Sequence, residues 1–228
     1  MPIIGILNEK PLHASLKKWY AIPGDEFEVQ LGRFVIDLVR DDVLVEIQTK
    51  NFASIKSKLK YLLRDHKVRV IYPIALEKWI IKQPIENGQK PIRRKSPKRG
   101  RLEDIFLEMI RIPYLVKNPN FSLHIVLIKE EEVRRYDKNK AWQRRGWVID
   151  ERRLVEVVDQ KIFAKPEDWL DLLPESICEP FTCSDLVATS GIPKHLAQKM
   201  VYCLREMGAI ANIGKRKREI LYEINAKK

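Results

Sequence analysis

The stretch FVIDLVRDDVLVEIQTK, Phe34 to Lys50, constrains this chain more than any other part of it, because two strand-like apolar runs meet there at a short acidic turn. Val35, Ile36, Leu38 and Val39 surround Asp37, and Val43, Leu44, Val45 and Ile47 surround Glu46. Runs that are apolar on both faces predict strands covered on both sides, inside a sheet. A charge in such a place is costly unless it is paired, hydrogen-bonded or bound to a metal. With Asp41-Asp42 as a two-residue turn, Arg40 falls opposite Val43, Leu38 opposite Val45, Asp37 opposite Glu46 and Ile36 opposite Ile47. That register predicts one wholly apolar face and puts Glu46, Gln48 and Lys50 on the face of Asp37. Opposed carboxylates repel, and a divalent cation between them turns repulsion into ligation. The plainer reading is a cross-strand polar pair neutralised by Arg33, Arg40 or Lys50.

The flanking segments supply a series of elements. Glu9 to Tyr20 has helical character, with Leu12, Leu16 and Trp19 on one face. Phe27 to Leu31 alternates like a strand, and Gly32 permits a tight turn. Asn51 is placed to cap a helix from Phe52 to Leu63 whose apolar face carries Phe52, Ile55, Leu59, Leu62 and Leu63. Val68 to Tyr72 then reads as a closing strand after a crossover.

Helix, three-stranded meander, helix, strand, with Asp37 and Glu46 on the second and third strands, resembles the restriction-endonuclease-like nuclease superfamily known by its PD-(D/E)XK motif. The resemblance covers roughly the first third of the chain. It departs from the pattern at Glu46-Ile47-Gln48, where glutamine takes the lysine position. A second alignment gives the motif to Gln48-Thr49-Lys50 and is similar to the endonuclease subunit of certain heteromeric transposases, which also join such a core to a winged helix. The resemblance implies phosphodiester hydrolysis with Mg²⁺ or Mn²⁺ held by Asp37, Glu46 and the Ile47 carbonyl, with Glu9 as a further ligand. It makes Asp37, Glu46, Gln48 and Lys50 the catalytic set, Gln48 orienting water and Lys50 stabilising charge on the phosphate. For Glu9 the alternative is an ordinary acid in a first helical turn, and Asp25, Glu26 and Glu28 are rivals.

At 228 residues, the chain has room for one sizeable core and a small second domain. A formal net charge of +12 favours polyanionic partners, nucleic acid first. Cys178, Cys183 and Cys203 are odd in number and lack CxxC spacing, which speaks against a disulfide framework or a zinc site. The amino terminus has no signal-peptide pattern and no run is long enough to span a membrane, so a cytoplasmic protein is expected.

From about residue 82 the pattern loosens into a basic run. Arg93, Arg94, Lys95, Lys98, Arg99 and Arg101 read as a flexible loop suited to phosphate contacts, or as a solvated linker. Leu102 to Ile112 reads as a helix and Phe121 to Ile128 as a strand, with His124 turned to a polar neighbour. Glu130 to Arg145 reads as a solvated helix or loop, and Trp147–Ile149 with Leu154–Val158 as a strand pair.

Beyond Pro166 come a short helix, then Thr182 capping a helix to Ala188, a turn at Ser190-Gly191, and a helix from Pro193 to Met207 ended by Gly208. Two strand signals follow, separated by Gly214-Lys215-Arg216-Lys217-Arg218. This order resembles the winged helix-turn-helix family. The resemblance implies that Lys194, His195, Gln198, Lys199 and Arg205 contact DNA from the second helix and that Lys215, Arg216, Lys217 and Arg218 form the wing.

The fold class expected is α/β, a restriction-endonuclease-like mixed sheet flanked by helices over residues 1–163, plus a small α+β winged-helix domain over 164–228. The function expected is a Mg²⁺-dependent DNA endonuclease, acting as a homodimer or with a protein partner. The alternative is a catalytically silent DNA-binding or regulatory protein on a nuclease scaffold, or a subunit needing a partner.

Overall fold

The computed structural model describes residues 9–85, 88–140 and 142–225. These residues form a mixed α/β fold around an open seven-stranded sheet flanked by helices. Helix α1 (Pro11–Tyr20) precedes a meander of β1 (Glu26–Leu31), β2 (Phe34–Arg40) and β3 (Val43–Ile47). A 3₁₀ turn (Phe52–Ile55) leads into α2 (Lys56–Leu62), which returns the chain to β4 (Lys67–Lys82), parallel to β3. Strand β5 (Ile92–Lys95) folds back antiparallel on the far end of β4. A 3₁₀ turn (Leu102–Ile105), α3 (Phe106–Met109) and a second 3₁₀ turn (Pro113–Lys117) cross over to β6 (Phe121–Tyr136), parallel to β4. Strand β7 (Trp147–Phe163) returns antiparallel along β6, giving the order β1-β2-β3-β4-β6-β7.

The β2–β3 hairpin has the register that the two-residue turn dictates, with Arg40 opposite Val43 and Leu38 opposite Val45. Leu38, Val45 and Ile47 pack with Ile71, Val126, Ile128 and the α1 residues Leu12 and Leu16 on one side of the sheet. Each fully buried leucine contributes roughly 1.5–3 kcal/mol. Ile36 does not join that face as expected; it packs into the opposite cluster with Leu44, Phe52 and Leu59. The alternation breaks at Asp37, whose neighbour across the β1–β2 ladder, Glu28, has φ +53°.

Several expectations need correcting. Helix α1 begins at Pro11, which fits a first helical position, so Glu9 precedes the helix. Trp19 is 38% exposed rather than on the buried face. Asn51 makes no side-chain cap; it is left-handed, φ +56°, and its carbonyl receives Ser54 N. The helices expected at 52–63 and 102–112 each start as 3₁₀ turns, and α3 is a single turn. Strand β4 runs ten residues past Tyr72. Within the basic run Arg93, Arg94 and Lys95 are strand rather than loop, while residues 86 and 87 lie outside the described residues. His124 does meet polar neighbours: its ring packs edge-on to Tyr20 at 5.6 Å, with the Gln160 side chain and the Arg69 guanidinium beside it.

The largest departure is the charged stretch from Glu130. It continues β6 to Tyr136, and the expected strand pair after it is one seventeen-residue strand. Glu130 is fully buried, bracketed by Lys78 Nζ at 3.0 Å and Arg152 at 2.6 Å; Glu132 is met by Lys78 at 3.0 Å and by Arg134. Charges that read as solvent-facing in isolation are internal here because Lys78 of β4 and Arg152 of β7 reach them from the neighbouring strands, with Arg134 of β6 itself completing the set.

After β7 a 3₁₀ helix (Pro166–Leu172) leads to α4 (Cys183–Ser190), α5 (Lys194–Met207) and a hairpin of β8 (Ile210–Arg216) and β9 (Glu219–Ile224). Phe181 bridges to Tyr222 at the base of that hairpin. These elements share one hydrophobic cluster with the sheet, running from Leu44 and Phe52 through Phe106 and Met109 to Trp169, Phe181 and Leu204. Gly208 closes α5 in the left-handed conformation, φ +82°. Thr182 caps α4: its Oγ1 accepts from Asp185 N at 3.2 Å and its N–H donates to Asp185 Oδ2 at 2.7 Å. Thr182→Ala is therefore expected to lower stability by about 1 kcal/mol, read as a 2–4 °C drop in Tm. Among the described residues no helix is long and apolar enough to cross a membrane.

Candidate active site

Asp37 and Glu46 line one open cleft of about 400 Å³ together with His13, Ile47, Gln48, Thr49, Lys50, Asn51 and Ser54. The hairpin register puts the two acids on adjacent strands, and Asp37 Oδ2 accepts from Ile47 N at 2.7 Å. Glu46 is 5% exposed. Burial first, and then the charge of Asp37, push its carboxyl up to about 7, against the pull of Lys58.

Each acid meets a cation. From α1, His13 stands between two carboxylates, with Nδ1 2.5 Å from Glu9 Oε1 and Nε2 3.3 Å from Asp37 Oδ2. Lys17, one turn on, contacts Glu9 at 2.7 Å and Glu28 at 3.1 Å. From α2, Lys58 forms an ion pair with Glu46 and donates to the Val35 carbonyl at 2.5 Å. Burial works against the charge on His13, but the hydrogen bonds and charges of Asp37 and then Glu9 outweigh it and raise the imidazole pKa. Burial likewise works against ionised Asp37, and His13 with the Ile47 N–H outweighs it and lowers the carboxyl pKa.

Gln48 sits where β3 leaves the sheet, its N–H on the Ile71 carbonyl at 2.9 Å. Its side-chain amide donates to the Lys50 carbonyl, to the Asn51 carbonyl at 3.0 Å and to Ser54 Oγ at 3.0 Å, so it shapes the cleft lip. Arg152 of β7 holds the same lip from below, donating to the Thr49 carbonyl at 3.1 Å while anchored on buried Glu130. Lys50 is exposed at the rim. Arg33 and Arg40 do not neutralise the acids; Arg40 grips Asp25 at 2.8 and 2.9 Å.

Hard oxygen donors are present for a divalent ion. Glu46 Oε1 is buried without a hydrogen bond, its contact being the Lys58 ammonium as an ion pair. Among the described residues no three His, Cys, Asp or Glu side chains converge to hold a metal, and His13 separates Glu9 from Asp37. Asp37 and Glu46 remain as a pair, and Mg²⁺ takes one or two carboxylates with waters and substrate phosphate oxygens for the rest.

Sequence reasoning missed His13, Lys17, Lys58 and Arg152. Glu9, His13 and Lys17 recur every fourth residue, the spacing of one helical face, which was a usable signal. Lys58 lies three residues after Ile55 and four before Leu62, on the border of the apolar face. Arg152 had no local signal, since its partners Glu130 and Thr49 are 22 and 103 residues away.

The basic residues of the carboxy-terminal elements are on the surface: Lys194, Arg205 and the hairpin tip Lys215 to Arg218 are exposed, and Lys199 is half-buried. Arg216 is tied to Asp185 and Arg205 to Glu206. In the basic strand, Arg93 pairs with Glu131 at 2.9 Å and Lys95 with Glu77 at 2.7 Å, and both are exposed, as are Arg94, Lys98, Arg99 and Arg101.

Residues 10–164 match the model of a domain of unknown function, DUF8091. The chain belongs to the DUF8091 family. The match takes in α1, the complete sheet and both acids, so the cleft is part of the DUF8091 unit. The chain is also 33% identical over 221 residues to an uncharacterized protein of Treponema pallidum (strain Nichols), covering 96% of this chain and 86% of that one. That similarity extends past the DUF8091 segment into the carboxy-terminal elements. No solved structure matches.

Proposed function

We propose that this chain is a divalent-metal-dependent nuclease acting on DNA, a restriction-endonuclease-like core followed by a winged helix. What carries the reading is the placement of Asp37 and Glu46 side by side at a cleft mouth with the Lys58 ammonium against them. The order α1-β1-β2-β3-α2-β4, antiparallel through β3 and then parallel, supports it. When bound, the ion would polarise the scissile phosphate and lower the pKa of attacking water.

The chain's own residues divide the remaining work. Asp37 and Glu46 supply the ligating carboxylates, with the Ile47 carbonyl beside them, and Glu9 acts through His13. Lys58 and Lys50 bring positive charge to the site of phosphate charge accumulation, which relieves Gln48 of the missing lysine's part. Gln48 keeps the lip in shape and offers its amide oxygen to orient water. In the carboxy-terminal part, Lys194, Gln198 and Arg205 on α5 and Lys215, Lys217 and Arg218 at the hairpin tip are the contacts to duplex backbone and groove. Arg93, Arg94, Lys95, Lys98, Arg99 and Arg101 extend the basic surface.

A second reading is favoured by the full set of cations already facing the acids: a catalytically silent nucleic-acid-binding protein. Cleavage of supercoiled plasmid in Mg²⁺ or Mn²⁺, wild type against Asp37→Ala, separates the two. Cleavage lost in the variant supports the nuclease; equal cleavage by both removes this cleft as its source. Binding without cleavage by either supports the silent reading.

A further inference from the structure

Helix α2 faces two ways. Lys58 points inward to Glu46, while Lys56 and Lys60 stand one turn apart with their ammonium groups 5.6 and 5.4 Å from the ring centroid of Tyr114. Tyr114 is 38% exposed, on the 3₁₀ turn Pro113–Lys117. Of the α2 lysines, Lys58 is the one in an ion pair among the described residues. From Ile47 to Arg64 the sequence has Lys50, Lys56, Lys58, Lys60 and Arg64 and no acid at all.

The patch adjoins the cleft, whose lip residues Lys50, Asn51 and Ser54 lead straight into α2. On its other side, Lys117 runs past the end of α5: a Cβ at Gly208 would meet Lys117 Cε at 3.4 Å. The patch therefore bridges the acids and the carboxy-terminal elements.

Two like charges at i and i+4 repel each other, and among the described residues neither Lys56 nor Lys60 is in an ion pair; Glu108 of α3 is taken up by Phe52 N at 2.9 Å. A chain of phosphates carrying flat bases would supply an anion for each lysine and, as the two ammonium groups turn from the Tyr114 ring to the phosphates, a base to take their place on its face. A duplex keeps its base faces stacked inside. We propose that Lys56, Lys60 and Tyr114 form a platform for a single-stranded stretch of nucleic acid beside the cleft, one unpaired base stacking on Tyr114 and flanking phosphates taking the ammonium groups. The inference rests on the nucleic-acid part of the reading above and is independent of cleavage. It narrows the substrate to one with an unpaired segment, such as a fork, flap or overhang.

The test is fluorescence anisotropy of the full chain in EDTA, with a labelled single-stranded oligonucleotide and a blunt duplex of equal length. Tyr114→Ala should weaken single-strand binding roughly five- to 150-fold, the range for loss of one base–aromatic stack, and leave duplex binding within about twofold. Tyr114→Phe keeps the ring and should bind like wild type. Lys56→Gln/Lys60→Gln, the first half-buried and the second exposed, should lower the slope of log K against log salt by about 1.4 on the single strand. Unchanged single-strand affinity in Tyr114→Ala, or an equal loss on both ligands, overturns the platform alone. Failure of the wild type to bind either ligand overturns the platform together with the nucleic-acid reading. Binding with no cleavage in Mg²⁺ leaves the platform standing and removes only the nuclease.

Discussion

Asp37→Ala is expected to lower plasmid nicking in Mg²⁺ by at least about a thousandfold. A ligated divalent ion supplies several kcal/mol of transition-state charge stabilisation, and about 1.36 kcal/mol is worth a factor of ten. The effect on folding should be smaller. Asp37 is only partly buried; its removal leaves His13, itself part-exposed, and the buried Ile47 N–H without that acceptor, a cost of about 1–3 kcal/mol. Lys58→Met should also reduce nicking, while Lys50→Met, at the rim, should reduce it less. Single-turnover rates with saturating enzyme separate these losses from weakened binding. Retention of wild-type nicking by Asp37→Ala would remove the cleft from the chemistry.

How much of this could be read along the chain depended on the range of the interactions. The β2–β3 hairpin is local, and its register from Leu38 to Arg40 followed from the two-residue turn and the apolar pattern; Asp37 and Glu46 lie just past the last ladder pair, Leu38 with Val45, and both line the cleft. Thr182, Gly208 and the β8–β9 hairpin were legible for the same reason, through caps and turns decided within a few residues. What failed was non-local. Glu130 and Glu132 read as solvated because each looked like one charge among many; the lysine and arginines that bury them sit on β4, β6 and β7. Ile36 changed sides because the alternation rule assumes a regular strand, and the ladder is irregular at Glu28 and Asp37. The cations that complete the site come from helices on both sides of the sheet, which no strand pattern can assign.

Stability in EDTA is expected to fall as pH rises from 5 to 8, and the site residues set the sign. Glu46 is pushed by burial, and secondarily by Asp37, from an ordinary 4.5 up to about 7. The folded protein therefore holds that proton more tightly than the unfolded chain, and stability drops across the interval between those two values. The drop is on the order of 3 kcal/mol, taking about 1.36 kcal/mol per pH unit. His13 acts in the same direction. Its imidazole is raised above 6.5 by Asp37 and Glu9 despite burial, so its contribution is full below 6.5 and is lost as pH climbs through the folded value. Asp37 and Glu9 are lowered, by His13 and Lys17 respectively, so their contribution is present above the ordinary carboxylate range and fails only in acid. The sum is a maximum near pH 5. Thermal melts at pH 5, 6.5 and 8 should show Tm falling by roughly 6–12 °C, at 2–4 °C per kcal/mol for a chain of this size. Glu46→Gln should flatten the decline, and Mg²⁺ should restore part of it at pH 8, by about 2.7 kcal/mol at a hundred times its Kd, because only deprotonated carboxylates bind the ion. A Tm that is level or rises between pH 5 and 8 would show that Glu46 is ionised in the folded protein at far lower pH, held by Lys58 as an ordinary internal salt bridge. That outcome would remove the electrostatic strain between Glu46 and Asp37 that the proposed cation would relieve.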